Sequence, residues 1–494
     1  MLEASEVGNK LSKDDFSAVV PQLRVDLINA QYDLQTADFG VLLFVAGDDR
    51  VAANAVVNRV NEWMDARYIQ THVLGPLSAE ESMRPRYWRV WRDMPPKGRV
   101  SIMAGGIMRL LHENLSGELS DEDYERALDH LEELQDELVA DGMLIIKIFL
   151  HTPLDVQRKR FKKAERGAEE GWRVDQRDWA ILQALDESNA KVEKLLRRTS
   201  VAGAPWSVVE ATDARYRDVA VCRTILNAMT ARLAEKPPVG VAVSEQLFAP
   251  GERQATVLDT VDLSRTIDQA EYAKELNGLQ RNLHQLALQA RARGLSSVLA
   301  FEGWDAAGKG GAIRRITQAL EAGDYRVIST AAPTEEERKY HYLWRFWRDL
   351  PPAGRFVIYD RTWYGRVLVE RIEGFATPAQ WQRAYDEIND FEDQLTERGF
   401  FVAKFWLHIS SEEQLARFKA REDTPEKAHK ITEEDYRNRE KWADYVRAVD
   451  QMVLRTSSKD APWHVIPAND KMVARLEVLE KVTKGLRQAL RKLP

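Results

Sequence analysis

Between residues 302 and 316 the chain reads EGWDAAGKGGAIRRI, in which Gly303, Gly308 and Lys309 have the spacing G-x-x-x-x-G-K. Glycines so placed let a loop turn until successive backbone N–H groups face an anion, and a lysine adds a mobile charge against phosphoryl oxygens. Gly303, Gly308, Lys309, Gly310 and Gly311 are therefore the candidate phosphate-binding residues. Position 310 is glycine, where a P-loop has the Ser or Thr that holds magnesium. Asp305, inside the loop, offers a hard oxygen donor instead. A second carboxylate, Asp360, closes the apolar run RFVIY (355–359). An acid at the end of a parallel strand is the Walker-B arrangement, placed to hold magnesium near the same phosphates. Arg361 follows directly and brings a planar fork of donors suited to a phosphoryl group in transfer. The chemistry implied is magnesium-assisted phosphoryl transfer, with Asp305, Lys309, Asp360 and Arg361 catalytic and Asp305 and Asp360 as metal ligands.

Such a loop works only between a strand and a helix. SSVLAF (296–301) reads as a short buried strand, and GAIRRITQALEA (311–322) has helical spacing of apolar residues. YRVIS (325–329), RFVIY (355–359), FFVAKFWL (400–407) and WHVIP (463–467) read as further strands, separated by helical stretches. Continuous apolar strands joined through helices predict a parallel sheet covered on both faces, an α/β fold.

The unit is written twice. WRVWRDMPPKGR (88–99) matches WRFWRDLPPAGR (344–355), KIFLH (147–151) matches KFWLH (404–408), and RTSVAGAPWSVV (198–209) matches RTSSKDAPWHVI (455–466). The offsets, 256 to 257 residues, are long enough for two complete domains, with a seam where Pro and Gly interrupt the pattern at 234–254. The expected organisation is a domain at 1–240 and a domain at 250–494, each P-loop kinase-like. Aligned by residue, Gly303 and Asp305 correspond to Gly47 and Asp49, but Gly308, Lys309, Asp360 and Arg361 correspond to Ala52, Ala53, Ala104 and Gly105. The first copy lacks the lysine, the strand-end acid and the arginine, and is expected to be catalytically silent. Its remaining use would be as the packing partner in a pseudo-dimer within the chain, with AILQALDESNAKVEKLL (180–196) read as a plain core helix or else as an interface helix, and further homo-oligomerisation open.

GWDAAGKGG, APTEEE, LWRFWRDLPPAGRFVIYDRTWYGRVLVERIEG and RFKAREDTPEKAHK together resemble the polyphosphate kinase 2 family, over most of 257–494. The tandem arrangement is similar to its two-domain branch, the polyphosphate:AMP phosphotransferases. That resemblance implies inorganic polyphosphate as donor, AMP as acceptor, ADP as product and magnesium as cofactor. It also implies a helical lid on the second domain, whose basic residues match Arg371, Arg417, Arg421 and Lys430 and whose acid matches Asp435. Read from the residues alone, cations at helical spacing between 412 and 447 could follow a phosphate chain. The interleaved acids, such as Glu412, Glu413 and Glu422, equally suit a solvated, salt-bridged face. The loop does not identify the donor, so an ATP-dependent nucleotide kinase, or a polyphosphate kinase acting on nucleoside diphosphates, stands as the alternative.

A formal net charge of −7 argues against a general nucleic-acid binder, though not against a local basic groove. No apolar run reaches the roughly 20 residues of a membrane span, and the N-terminal stretch MLEASEVGNKLSKDDF has no basic-then-apolar leader pattern. With one cysteine, Cys222, a reducing cytoplasmic setting is expected.

Overall fold

A computed structural model of the protein describes residues 2, 5–166, 179, 182, 189–235, 255–423 and 433–493. Most of the expected seam, residues 180, 181 and 183–188 of the segment 180–196, and Lys430 lie outside the described residues. The chain divides into two compact units. The first comprises Met1–Ala79, Arg86–Val239 and Glu335–Trp344, and the second Glu80–Pro85, Gly240–Thr334 and Arg345–Pro494. The segments 80–85 and 335–344 are each grouped with the opposite repeat, which no feature of their composition signals.

In the first unit, strands β1 (Val41–Gly47), β2 (Ile69–Val73), β3 (Val100–Ala104), β4 (Leu144–His151) and β5 (Trp206–Glu210) form one sheet in the order β2-β3-β1-β4-β5. The second unit repeats that order with β6 (Ser297–Gly303), β7 (Tyr325–Ser329), β8 (Phe356–Asp360), β9 (Phe401–His408) and β10 (Trp463–Pro467). Every pairing is parallel. Parallel neighbours require crossover helices, and these cover both faces, so the central strands are apolar throughout rather than alternating. β7 departs from the expectation of a core strand. It lies at the sheet edge, and Arg326 and Val327 are exposed. The helix expected over 311–322 runs instead over Lys309–Thr317, and closes with tighter i→i−3 bonds from Ala319 to Ile316 and Leu320 to Thr317. Cys222 is buried in the first core, and burial pushes its thiol up to about 12. Among the described residues no helix is long and apolar enough to cross a membrane.

Beneath the second sheet lies a buried ion pair. Lys404 on β9 donates to Glu392 Oε2 at 2.5 Å, to the Thr456 carbonyl at 2.5 Å and to the Tyr364 hydroxyl at 3.0 Å. Glu392 Oε1 accepts from Tyr364 Oη at 2.8 Å and Trp363 Nε1 at 3.1 Å. Burial raises the glutamate and lowers the lysine, so each holds its charge chiefly because the other is there. Glu392→Leu should therefore lower stability by about 3–5 kcal/mol, because an ammonium remains buried without its carboxylate. A urea melt followed by tryptophan fluorescence measures this; an unshifted midpoint would show that Lys404 simply deprotonates at little cost.

Candidate active site

The loop after β6 is held in one shape by three backbone features. Gly303 has φ +148°, and a Cβ there would come within 2.7 Å of the Leu407 carbonyl oxygen, so only glycine fits. Ala306 and Gly308 take positive φ of 64° and 108°, the turns that bring the chain into the helix Lys309–Thr317. Gly308 is the N-cap and offers no side chain to the first-turn N–H groups; of these, the Gly311 N–H bonds the Gly308 carbonyl at 2.9 Å. Lys309 folds back, its Nζ donating to the Gly303 carbonyl at 2.7 Å. The Trp304 ring stacks on Trp442 at 3.6 Å, and its Nε1 donates to His408 Nδ1 at 3.0 Å. His408 therefore keeps its own proton on Nε2, and burial pushes its pKa down to about 4.

Sheet register brings the second half of the site alongside. β6 pairs with β8 so that Phe301 lies opposite Asp360. Arg361, one residue on, has φ +65° and its N–H bonds the Phe301 carbonyl at 3.0 Å. A non-glycine residue in this region is strained by an amount of order 1–3 kcal/mol, which the surroundings must offset. They do so through Glu302, whose buried Oε1 accepts from Thr362 N at 2.7 Å and Thr362 Oγ1 at 2.8 Å. Burial raises the Glu302 carboxyl; Lys309 and Arg361 pull it back down. The Arg361 side chain then reaches Asp305 Oδ1 at 3.0 Å, while Asn438 Nδ2 holds Asp305 Oδ2 at 3.2 Å.

Two cavities meet over this arrangement. The larger, about 820 Å³, is lined by five cations, Lys309, Arg314, Arg315, Arg361 and Arg421, and two carboxylates, Asp305 and Asp360. Its lining thus carries a net charge of +3. The smaller, about 190 Å³, is lined mainly by apolar groups such as Trp304, Pro333, Leu368, Phe375 and Tyr445. Asp305, Thr330, Ala331 and Arg361 line both.

The residues expected from the sequence divide accordingly. Gly308, Lys309, Gly310, Gly311, Asp305, Asp360, Arg361 and Arg421 line the large cavity, and Gly303 lines the small one. Arg417 does not act as a free cation of a lid. All five of its N–H donors are taken: Glu413 at 2.6 Å, and the carbonyls of Ala306, Ala307, Ala468 and Asn469 at 2.6–3.0 Å. It is a clamp on the loop after β6. Arg371 lines neither cavity; it bonds Gln451 and the Tyr385 hydroxyl and lies 3.9 Å over Trp381. Asp435 lies on the helix Glu433–Glu440. Sequence reasoning missed Glu302, Arg314, Arg315, Gln414 and Asn438. A carboxylate inside the apolar strand SVLAFEG and an Arg pair one turn beyond the loop were visible signals; Asn438 and Gln414, brought in from far along the chain, had none.

The family model for polyphosphate kinase 2 matches residues 10–237 and again residues 266–494. The chain belongs to the polyphosphate kinase 2 family. It is 43% identical over 494 residues, the whole of both chains, to the polyphosphate:AMP phosphotransferase of Pseudomonas aeruginosa. It is 39% identical over 215 residues to the GDP-polyphosphate phosphotransferase of Mycobacterium tuberculosis, a match spanning 44% of this chain and 73% of that protein. A solved polyphosphate kinase 2 structure from P. aeruginosa PA01 superposes with a TM-score of 0.88 at 42% identity, covering both chains completely.

The geometry separates two kinds of arginine in this family member. Arg417→Lys cannot satisfy four carbonyls with one ammonium, and each buried carbonyl left unpaired costs roughly 1–3 kcal/mol. The melting temperature should drop along with turnover. Arg421→Ala should leave the melting temperature unchanged and raise KM for an anionic substrate. Scanning calorimetry and steady-state kinetics on both variants check this, and the reverse pattern would overturn the assignment.

Proposed function

We propose that the chain transfers the terminal phosphoryl group of inorganic polyphosphate to AMP, giving ADP, at the site in its second unit. The observation that carries this reading is the pair of cavities meeting at Asp305 and Arg361: a long groove of net charge +3 beside a smaller apolar pocket. A polyanion without apolar parts suits the groove, and a nucleoside suits the pocket. Full-length likeness to a tandem polyphosphate:AMP phosphotransferase supports AMP as the acceptor over a nucleoside diphosphate, since the diphosphate-named relative matches less than half of the chain.

In the reaction an oxygen of the AMP phosphate attacks the terminal phosphorus of polyphosphate in line. A new P–O bond forms to AMP as the bridging P–O bond breaks, and the shortened polyphosphate leaves with the electron pair. Lys309 and Arg361 offset the charge on the transferring oxygens, and the first-turn N–H groups of the helix Lys309–Thr317 hold the phosphates at fixed dipoles. Arg314, Arg315 and Arg421 hold the polyphosphate chain along the groove. Two carboxylates with hard oxygen donors line the groove, and the Asp360 carboxylate has no hydrogen bond or ion pair among the described residues, a donor set that fits a divalent cation. Asp305 and Asp360 would hold magnesium, which when bound supplies neutralisation of the phosphate oxygens.

The first unit is silent in this reading. Its corresponding helix begins at Arg50, three residues before Ala53, the position that matches Lys309. Asp49 caps that helix, accepting from Val51 N at 2.9 Å and Ala52 N at 3.0 Å. An internal carboxylate thus occupies the N–H groups that a phosphate would need, and Ala104 and Gly105 stand where Asp360 and Arg361 would act.

Incubating the protein with AMP and either polyphosphate or ATP, and measuring ADP, tests the donor; equal rates with ATP would favour an ordinary nucleotide kinase. Lys309→Ala and Asp360→Ala should each lower kcat by roughly 10²–10³, the scale for one lost electrostatic donor, with the fold intact by circular dichroism. Near-normal turnover in either folded variant would remove these residues from the mechanism. From about 50 to about 200 mM salt, KM for long polyphosphate should climb steeply through counterion release, and KM for AMP much less. Equal slopes would mean that the groove does not follow the chain.

A further inference from the structure

The second unit has a corner of positive charge that its carboxylates do not answer. Arg421 stands in the last turn of the helix Ser411–Glu422. Lys471 and Arg475 stand one turn apart where the helix Lys471–Lys492 begins. Arg475 lies against the first turn of the helix Lys309–Thr317. A Cβ on Gly311 would meet its Nη2 at 3.4 Å and its Nε at 3.5 Å, which places the guanidinium beside this residue of the groove. Lys471 has Arg417, Arg421 and Arg475 around it, and partial burial together with their repulsion pushes its pKa down. Glu413 pulls it back up but is itself bonded to Arg417 at 2.6 Å. Among the described residues, the side chains of Arg315, Arg421, Lys471 and Arg475 make no ion pair or hydrogen bond.

The first unit has a balanced version of the same corner. Arg421, Lys471 and Arg475 correspond to Ala164, Ala214 and Asp218. Arg315 corresponds to Arg59, whose Nε donates to Asp218 at 2.8 Å. The silent unit thus has one arginine and its carboxylate where the other has four cations. Like charges gathered without a carboxylate repel one another, a cost that a ligand with several negative charges removes.

We propose that Lys471 and Arg475, together with Arg421, form a subsite for the distal part of a polyphosphate chain, and that this subsite selects long chains over tripolyphosphate. The inference rests on the groove being the polyphosphate site. Arg421 belongs to both places, since it lines the groove, whereas Lys471 and Arg475 lie outside its lining. A chain whose end lies at Lys309 and Asp360 therefore reaches them only after crossing the groove. A groove of about 820 Å³ holds three phosphates with room to spare, so tripolyphosphate stays within it.

Calorimetric titration of the full-length protein, without nucleotide, tests this with tripolyphosphate and with polyphosphates of stepwise greater defined length. In the wild-type protein affinity should rise with length and then level off. Lys471→Ala and Arg475→Ala should each weaken the longer chains by roughly tenfold at about 0.1 M salt, and lower the salt slope by about one, as one lost phosphate contact does. Tripolyphosphate should lose far less, and its retained affinity reports that the second unit of the same variant is folded. Arg475→Asp, which brings in the acid of the first unit, should weaken long chains more than Arg475→Ala, because the new carboxylate neutralises Arg315 as Asp218 does Arg59. Lys471 is the more exposed of the two residues, so the test does not depend on the packing of Arg475. If the wild-type protein binds no polyphosphate at all, the groove reading falls and takes the subsite with it. Wild-type affinity that does not rise with length would overturn the subsite alone. So would unweakened long-chain binding in the variants, or equal loss for tripolyphosphate and long chains.

Discussion

The parallel pairing of β6 with β8 is the constraint on which the site depends. Phosphoryl transfer between two anions requires cations and metal ligands on both sides of the same few ångströms, and the two halves of this site are more than fifty residues apart in sequence. Placing Phe301 opposite Asp360 brings the end of β8 beside the start of the phosphate loop, without any side chain having to search for the other. The remaining contacts fix orientation. Glu302 holds the turn at Thr362, which aims the left-handed Arg361 back at Asp305. A buried acid whose carboxyl is raised by burial, and a strained arginine, are both costs to stability; their position at one point is consistent with strain kept where the chemistry is.

Arg417 shows how such a loop can be rigid while remaining rich in glycine. Loop carbonyls that point away from the phosphates need partners, since unpaired buried carbonyls cost as much as lost hydrogen bonds. One planar guanidinium reaches Ala306 and Ala307 in the loop and Ala468 and Asn469 beyond β10. The loop after β6 is thereby tied to the segment that follows the edge strand β10. A lysine, with a single charged point, could not make that set of contacts. The first unit is built differently here: its helix begins earlier and is capped by Asp49, and Arg160 reaches Asp49 at 3.1 Å and the backbone beyond β5.

Much of this was legible in the sequence because it rests on local rules. The glycine spacing, the strand-end acid and the duplication each occupy a few consecutive residues, and the α/β reading follows from continuous apolar strands. β7 was recognised as a strand but not as an edge, since five residues such as YRVIS carry no mark of how many neighbours they will have. The lid reading failed at Arg417 for a related reason. Helical spacing of cations between 412 and 422 says which face a side chain shares, but not whether a carbonyl or a phosphate meets it. Gln414 and Asn438 became visible only once folding brought them to Asp305.

Charge distribution completes the account of how a chain of net −7 handles a polyanion. With +3 gathered around one groove, the remainder of the molecule carries about −10. Polyphosphate is therefore repelled by most of the surface and attracted at one place, where low-dielectric walls strengthen the field. The benefit is selectivity of approach rather than binding strength, because contacts elsewhere on a basic protein would compete with the reacting end. Within the groove the cations are also unequal. Lys309 and Arg361 are fixed by backbone and carboxylate contacts, while Arg314, Arg315 and Arg421 lie on helices that flank the cavity. Lys309 and Arg361 are thus held in place beside Asp305 and Asp360, and Arg314, Arg315 and Arg421 are the less constrained charges of the groove.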